Sequence, residues 1–536
     1  MAEKVYLSSF KGDDTLKVIA NAMEYLKLHP KTTLVIEPGT YIITSPLARE
    51  TQRAVMAGEY GQNPQRTMFS PNFEYTRGMC FAGQRDTRVE AYGVTLLVDG
   101  FMEPISLRDC ENVTLCGITV DHLRKPYSRG IIRDVKDVSE DGSVKSCTVE
   151  FDSDCPIEET SPRALRRKFY DAELERELVP DVEDSEYVDR HHIKYIFSSA
   201  AGLRDGVEFY TVHTYHSRPA VLIENAKNIT LEDVTIHSQP GMGVVGNRSE
   251  DITLRRLSVV PSIGHHYSTN TDGTHFTSMK GLLRIEDCTF EYQGDDFVNV
   301  HNYYHAIVSR EADNICCMQE KTPDGTHAQS LDYPDEGDTL ELTNRLTMEL
   351  IDTFRVVSCT PMADDWMCRV ELDHALPECT DGLLLSDVTR LPRLEVVGCH
   401  ALCHHARSIL IKTRDVLIEG NTFRDVRGSA IHVAPEAHWY EGVSPANVVI
   451  RNNRIVRCAE YWQGDKSAGI MVYADSEKPN SRPIKNVTIE DNIIECPKTS
   501  HGISVRNVDG LRIARNKIIS KNEPIVIETC ENTDIS

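Results

Sequence analysis

Two short stretches hold the side chains best suited to chemistry, Asn270-Thr-Asp272-Gly-Thr-His275 and Gln293-Gly-Asp295-Asp296-Phe-Val-Asn299-Val-His301. Asp272 and Asp295 are 23 residues apart. If that is one turn of a repeating fold, their carboxylates lie on adjacent rungs, about 5 Å apart along the stack. Asp296 follows directly, so in a regular strand it would point the other way. Gly294 allows a bulge that would turn both carboxylates towards one cleft. Like charges packed this closely raise one another's pKa, so the three cannot all ionise easily. Glycoside hydrolysis needs that condition, with one carboxyl protonating the leaving oxygen and another activating water. His265, His266, His275 and His301 are placed to bind hydroxyls or tune the carboxyls, and Asn270, Gln293 and Asn299 to hold sugar hydroxyls. A structural reading competes, because Gly12-Asp13-Asp14 repeats the tripeptide where helix capping accounts for it.

The elements that must position this cluster show in an internal repeat. Asn112-Val-Thr-Leu, Asn228-Ile-Thr-Leu, Asp251-Ile-Thr-Leu, Asp415-Val-Leu-Ile, Asn447-Val-Val-Ile and Asn486-Val-Thr-Ile recur, with related units at Leu283 and Gly510. Each joins two short alternating strands at a polar corner. Spacings of 23 residues from Asn228 to Asp251 and 39 from Asn447 to Asn486 suit a parallel β-helix, an all-β solenoid whose loops vary in length. Residues 15–28 have a helical apolar period and would cap the first coil, with Asp14 or Thr15 as N-cap. The repeat breaks twice. The expected organisation is a cap and first coils over 1–125, a β-rich insert over 126–222, central coils with the cluster over 223–301, a second insert over 302–392 and final coils over 393–536. Within the first insert, the charged run 163–176 reads as helix.

A net charge of −24 with 26% charged and 40% hydrophobic residues describes a globular chain and argues against nucleic acid or anionic lipid as partner. No apolar stretch is long enough to span a membrane. The start offers no secretory signal as written, which points to a cytoplasmic location and to reduced thiols for the sixteen cysteines. Cys116, Cys288, Cys458 and Cys496 read as small buried hydrophobes. Cys399-His400-Ala-Leu-Cys403-His404-His405 is incomplete as a zinc site and reads as packing, although His404 or His405, with Arg407, could reach the cleft from the next coil. Glu436, His438, Trp439 and Tyr440 form a loop where an aromatic beside an acid suits a pyranose face, and where a Trp that merely covers the end of the stack is an equal reading. Trp462 carries the same ambiguity, with packing favoured. Phosphate-loop and esterase motifs are missing.

Asn270-Thr-Asp272 followed by Gly294-Asp295-Asp296 is similar to the polygalacturonase pattern, a right-handed parallel β-helix family of inverting hydrolases. That family's Gly-His-Gly and Arg-x-Lys are not in place; His301 and the looser pair Arg407 and Lys412 are the nearest substitutes. Thr271-Asp-Gly-Thr-His-Phe, Gly294-Asp-Asp-Phe-Val-Asn-Val-His and Asp121-His-Leu-Arg-Lys-Pro-Tyr-Ser-Arg-Gly more closely resemble glycoside hydrolase family 110, exo-acting α-1,3-galactosidases built as β-helices with inserted β-barrel modules. The resemblance implies Asp272, Asp295 and Asp296 as catalytic carboxylates of an inverting mechanism without metal or other cofactor. Asp295 would be the general acid and Asp272 with Asp296 the water-activating pair. Inversion leads one to expect about 6.5–9.5 Å between acid and base. His266, Asn270, His275, Gln293, Asn299, His301, Arg407 and Glu436 would bind a substrate ending in galactose, and a homo-oligomer is open to such a stack. A uronan-directed hydrolase or lyase and a non-catalytic glycan-binding solenoid are the alternatives.

Overall fold

The computed structural model describes residues 3–61, 63–70, 72–140, 144–161, 165–320, 332–362, 366–459, 467–498 and 501–536. Trp462 lies outside them. The repeat corners explain the fold. Asn112, Asn228, Asp251, Asp415, Asn447 and Asn486 all have φ between 53° and 57°. Only residues tolerant of the left-handed region turn a strand there cheaply, so these six units open on Asn or Asp, while Gly281 and Gly510 serve the related units. Their side chains also stack. Asn228 donates to Asn112 (2.7 Å), and Asn112 donates to Asp86 (2.9 Å). A second ladder runs through the interior, where the Nδ2 atoms of Asn421, Asn453 and Asn492 each donate to the Oδ1 of the next coil's Asn at 2.9–3.0 Å.

Behind each corner the residues alternate inward and outward, and the inward ones merge into one apolar column, for example Ile229, Ile252, Leu283 and Leu394. These strands form long parallel ladders. In one, Lys227–Glu232, Glu250–Arg255 and Lys280–Glu286 pair in sequence; in another, Val221–Glu224, Val244–Asn247, Thr274–Thr277 and Val298–Tyr303 do. The chain is therefore a parallel β-helix. Cys288, Cys458 and Cys496 are buried inside it, and Cys116 is buried on the outer side beside Glu232. Helix Thr15–Leu28 buries Ile19, Met23 and Leu26 against the first coil, and Asp14 caps it by accepting from the Lys17 backbone N–H (2.8 Å). Among the described residues, no helix is long and apolar enough to cross a membrane.

Two modules loop out without disturbing the stack. Ile105 pairs with Val221, although a seven-stranded antiparallel sheet from Tyr127–Asp137 to Glu208–Val212 lies between them in the chain. Val298 pairs with Ile409 across a closed six-stranded barrel that runs from His305–Ala312 to Leu383–Asp387. Each module has a hydrophobic core of its own. The expected helix over 163–176 is not formed in its described part. Strands Arg167–Asp171 and Arg176–Leu178 make a hairpin there, because Phe169 and Leu178 join the module's core and tertiary packing overrides local charge pattern.

Candidate active site

The strands Thr274–Thr277 and Val298–Tyr303 set the cluster. Thr274 faces Val298 across the ladder, an offset of 24 residues, and the Gly273 N–H donates to the Asp296 carbonyl (2.8 Å). Asp296 therefore stacks on Asp272, and Asp295 stands beside them, one position out from the register expected of it. The backbone between them passes close to the previous coil at Gly294, where a Cβ would meet the Asn270 carbonyl oxygen at 2.2 Å and the Tyr267 hydroxyl at 2.4 Å. A side chain there would push the pair of aspartates out of place.

All three carboxylates line one cleft of about 730 Å³. One oxygen from each lies within 4.8 Å of the others. That is tighter than the separation expected of an inverting acid–base pair, because successive rungs and adjacent residues converge on one spot. Their partners differ. Asp295 is bonded to Arg166, which also donates to the Gly294 carbonyl. Asp296 accepts from the Arg407 backbone N–H (2.8 Å), Nε (3.1 Å) and Nη2 (2.8 Å). Asp272 Oδ2 lies 2.7 Å from His275 Nδ1. Burial pulls the Asp295 carboxyl up, but Arg166 and Arg407 outweigh it and hold the group below the usual carboxylate range. Burial pushes Asp296 up to about 7 against the pull of Arg407. It also raises Asp272, with the neighbouring Asp295 charge adding to it and His275 opposing. Two guanidinium groups already neutralise two of the carboxylates, so the set is poorly matched to a divalent cation, which prefers several uncompensated oxygens.

A second charged network floors the cleft. Lys412 is fully buried and contacts Glu436 Oε2 (2.8 Å), Glu441 Oε2 (2.6 Å) and Asn299 Oδ1 (3.2 Å). Arg407 Nη1 reaches Glu436 Oε1 (3.3 Å), joining this network to Asp296. Arg427 lies 3.7 Å from Glu177. Trp439 stands at the cleft with 47% of its surface exposed.

The structure thus gathers Asp272, Asp295, Asp296, His275, Asn299, His301, Arg407 and Glu436 around one cleft. His266, Asn270 and Gln293 are placed elsewhere. His266 binds Glu208 (2.6 Å) and packs on Tyr170 under the first module. Asn270 is buried and donates to the Pro126 and Thr214 carbonyls, tying together the two stems of that module. Gln293 is buried and donates to the Val259 carbonyl (2.6 Å). Their polar groups serve the scaffold. His265 likewise contacts the Tyr127 hydroxyl (3.1 Å). Of the Cys-His run, Cys399 joins the core, while His405 lines the cleft. Sequence reasoning missed Arg166 and Glu441. Arg166 was hidden inside the run read as helix, and Glu441 sits one residue beyond the Glu436–Tyr440 loop.

No protein-family model matches the chain. Curated relatives do. It is 24% identical to α-1,3-galactosidase A of Bacteroides fragilis over 88% of this chain and 81% of that protein. The chain resembles the α-1,3-galactosidases of glycoside hydrolase family 110. It is also 23% identical to α-1,3-galactosidase B of Bacteroides thetaiotaomicron, over 97% of this chain and 87% of that one. With α-1,3-galactosidase A of Shewanella woodyi it shares 23% identity over 96% and 84%. Among solved structures, the family 28 exopolygalacturonase of Yersinia enterocolitica aligns with a TM-score of 0.44 at 11% identity, over 99% of this chain and 78% of that one.

Proposed function

We propose that the protein is an exo-acting glycosidase that removes terminal α-1,3-linked galactose with inversion. The observation that carries the hydrolase reading is the cluster of three carboxylates in one cleft, each with a different partner. Arg166 for Asp295, Arg407 for Asp296 and His275 for Asp272, together with burial, drive their pKa values in different directions. Such a split is what acid–base hydrolysis requires. The resemblance to α-1,3-galactosidases supplies the sugar and linkage. The charge inventory agrees with a neutral sugar, because Arg166, Arg407, Lys412 and Arg427 each have a carboxylate partner already. A uronate would find no uncommitted cation among these four, which disfavours the uronan-directed alternative. A purely binding solenoid would have no need of carboxyls crowded within 4.8 Å.

The resting charges support a division of labour that differs from the one implied by the resemblance. Asp295, whose carboxyl Arg166 and Arg407 hold below the usual range against burial, is suited to serve as the base. Asp272 keeps Oδ1 uncommitted among the described residues and serves as the acid. Asp296, with both oxygens accepting from Arg407, orients the water and the cleft wall. The test is a screen of aryl α- and β-glycosides and galactose disaccharides, with the first product followed by NMR. Release of β-galactose from α-1,3-galactobiose supports the proposal, α-galactose appearing first replaces inversion by retention, and turnover confined to uronans overturns it.

A further inference from the structure

Beside Asp272, on the wall of the same cleft, lies an array that ends on a backbone carbonyl. His275 Nδ1 is 2.7 Å from Asp272 Oδ2, His275 Nε2 is 2.8 Å from His301 Nε2, and His301 Nδ1 is 2.9 Å from the Asn302 carbonyl oxygen. These are three hydrogen bonds in series. Each needs one hydrogen, and a carbonyl oxygen supplies none. Two neutral imidazoles bring one hydrogen each. The third must come from an additional proton, which rests on Asp272, His275 or His301. A carboxylate facing two neutral rings would leave one of the short contacts with lone pairs opposed.

We infer that His275 and His301 are positioning residues that store one proton and deliver it to Asp272, making that residue the acid of the glycosidase proposed above. This rests on that reading for the chemistry, although the proton count stands on the geometry alone. The charged and titratable surroundings are consistent with the proton's resting near Asp272. Asp295 draws it that way, while Arg166 beyond Asp295 offsets this in part. On the other side, Glu441 Oε1 stands 3.8 Å from His301 Nε2, but Lys412 neutralises that carboxylate at 2.6 Å. The Tyr303 ring packs edge-on against His301, whose burial holds it down to about 3 and so keeps it neutral. In turnover the C1–O bond breaks as the leaving oxygen takes the proton from Asp272. Water bonds to C1 and gives a proton to Asp295. Release of that proton and uptake of one by the array restore the resting state.

The test uses the full chain with His301→Phe and His301→Gln. Phenylalanine cannot accept from His275 Nε2, so His275 can instead donate through Nδ1 to an ionised Asp272, and the extra proton is lost more easily. The alkaline limb of kcat/KM on an aryl α-galactoside should move to lower pH by one unit or more. The Gln oxygen can accept that N–H, so His301→Gln should restore the limb to within half a unit. A structural role alone would lower activity without moving the limb, and that result overturns the inference. Nitrogen-15 NMR on histidine-labelled protein reads the same point without substrate. The His275 signal, assigned by its loss in His275→Phe, should report Nε2–H in the wild type and Nδ1–H in His301→Phe. If no galactoside is turned over but the tautomer changes, the galactosidase reading fails and the array stands; if the tautomer is the same in both proteins, the array fails.

Discussion

Arg166 is anchored in the first inserted module, yet its guanidinium is bonded to Asp295 in the coil, 129 residues along the chain. The module thus completes the candidate cleft. Its charge keeps Asp295 ionised, so Arg166→Ala should raise the Asp295 pKa. The base is then protonated at a higher pH, and the acidic limb of kcat/KM should move up by about one unit, equivalent to about 1.4 kcal/mol of lost interaction. Arg166→Lys should move it less. A limb that stays in place would remove Arg166 from the charge balance.

The two candidate assignments of acid and base separate on leaving-group chemistry. Fluoride departs without a proton, so α-galactosyl fluoride needs the base and not the acid. Asp272→Asn should lose about 10²–10⁴-fold on α-1,3-galactobiose while retaining most activity on the fluoride. Asp295→Asn should lose both. The reverse pattern would return the acid role to Asp295, as the family resemblance implies.

The repeat could be read from the sequence because its cause is local. A strand corner with φ near 55° admits few residue types, so Asn112, Asn228 and Asp251 mark each coil in plain letters. The aspartate trio was legible for a related reason, since a solenoid converts a fixed separation in sequence into adjacency in space. What could not be read was which polar residues face inward to the scaffold. Asn270 and Gln293 flank the aspartates closely, but their hydrogen bonds go to Thr214 and Val259, partners fixed only by the fold. Arg166 and Glu441 were obscure for the opposite reason, as their partners, Asp295 and Lys412, are brought to them only by the fold. The assignment of Asp295 to the Asp272 rung assumed a coil of 23 residues, whereas the ladder at Thr274 and Val298 has 24.

Trp439 is the exposed aromatic of the cleft, in contact distance of His438 at 5.5 Å between ring centroids. Aromatic ring pairs contribute about 0.5–1.5 kcal/mol beyond simple burial, and a pyranose stacked on the indole face is taken on the same scale. Trp439→Ala should therefore raise KM by about 2–10-fold on a disaccharide with kcat nearly constant, and Trp439→Phe should recover part of the loss. Unchanged steady-state constants would make the residue a cover for the coil and not a sugar platform.

Lys412 supplies the last prediction, because it is fully buried between Glu436 and Glu441. Removing one member of a buried ionic group leaves the others uncompensated, so Lys412→Met should cost about 3–5 kcal/mol in stability. Combining it with Glu436→Gln and Glu441→Gln should recover much of that, since the stranded charges go with the lysine. The pH dependence has a definite sign. Burial raises Glu441, but His301, once charged at acid pH, and Lys412 at every pH outweigh it and hold the carboxyl well below its ordinary value. A depressed folded-state pKa contributes stability that is present above the unfolded-state value and lost as pH falls towards the folded one. Thermal unfolding of the wild type should accordingly lose this contribution only below the ordinary glutamate range, whereas in Lys412→Met the loss should set in at higher pH. Parallel melting curves for the two proteins across that range would show that the lysine does not govern the Glu441 charge.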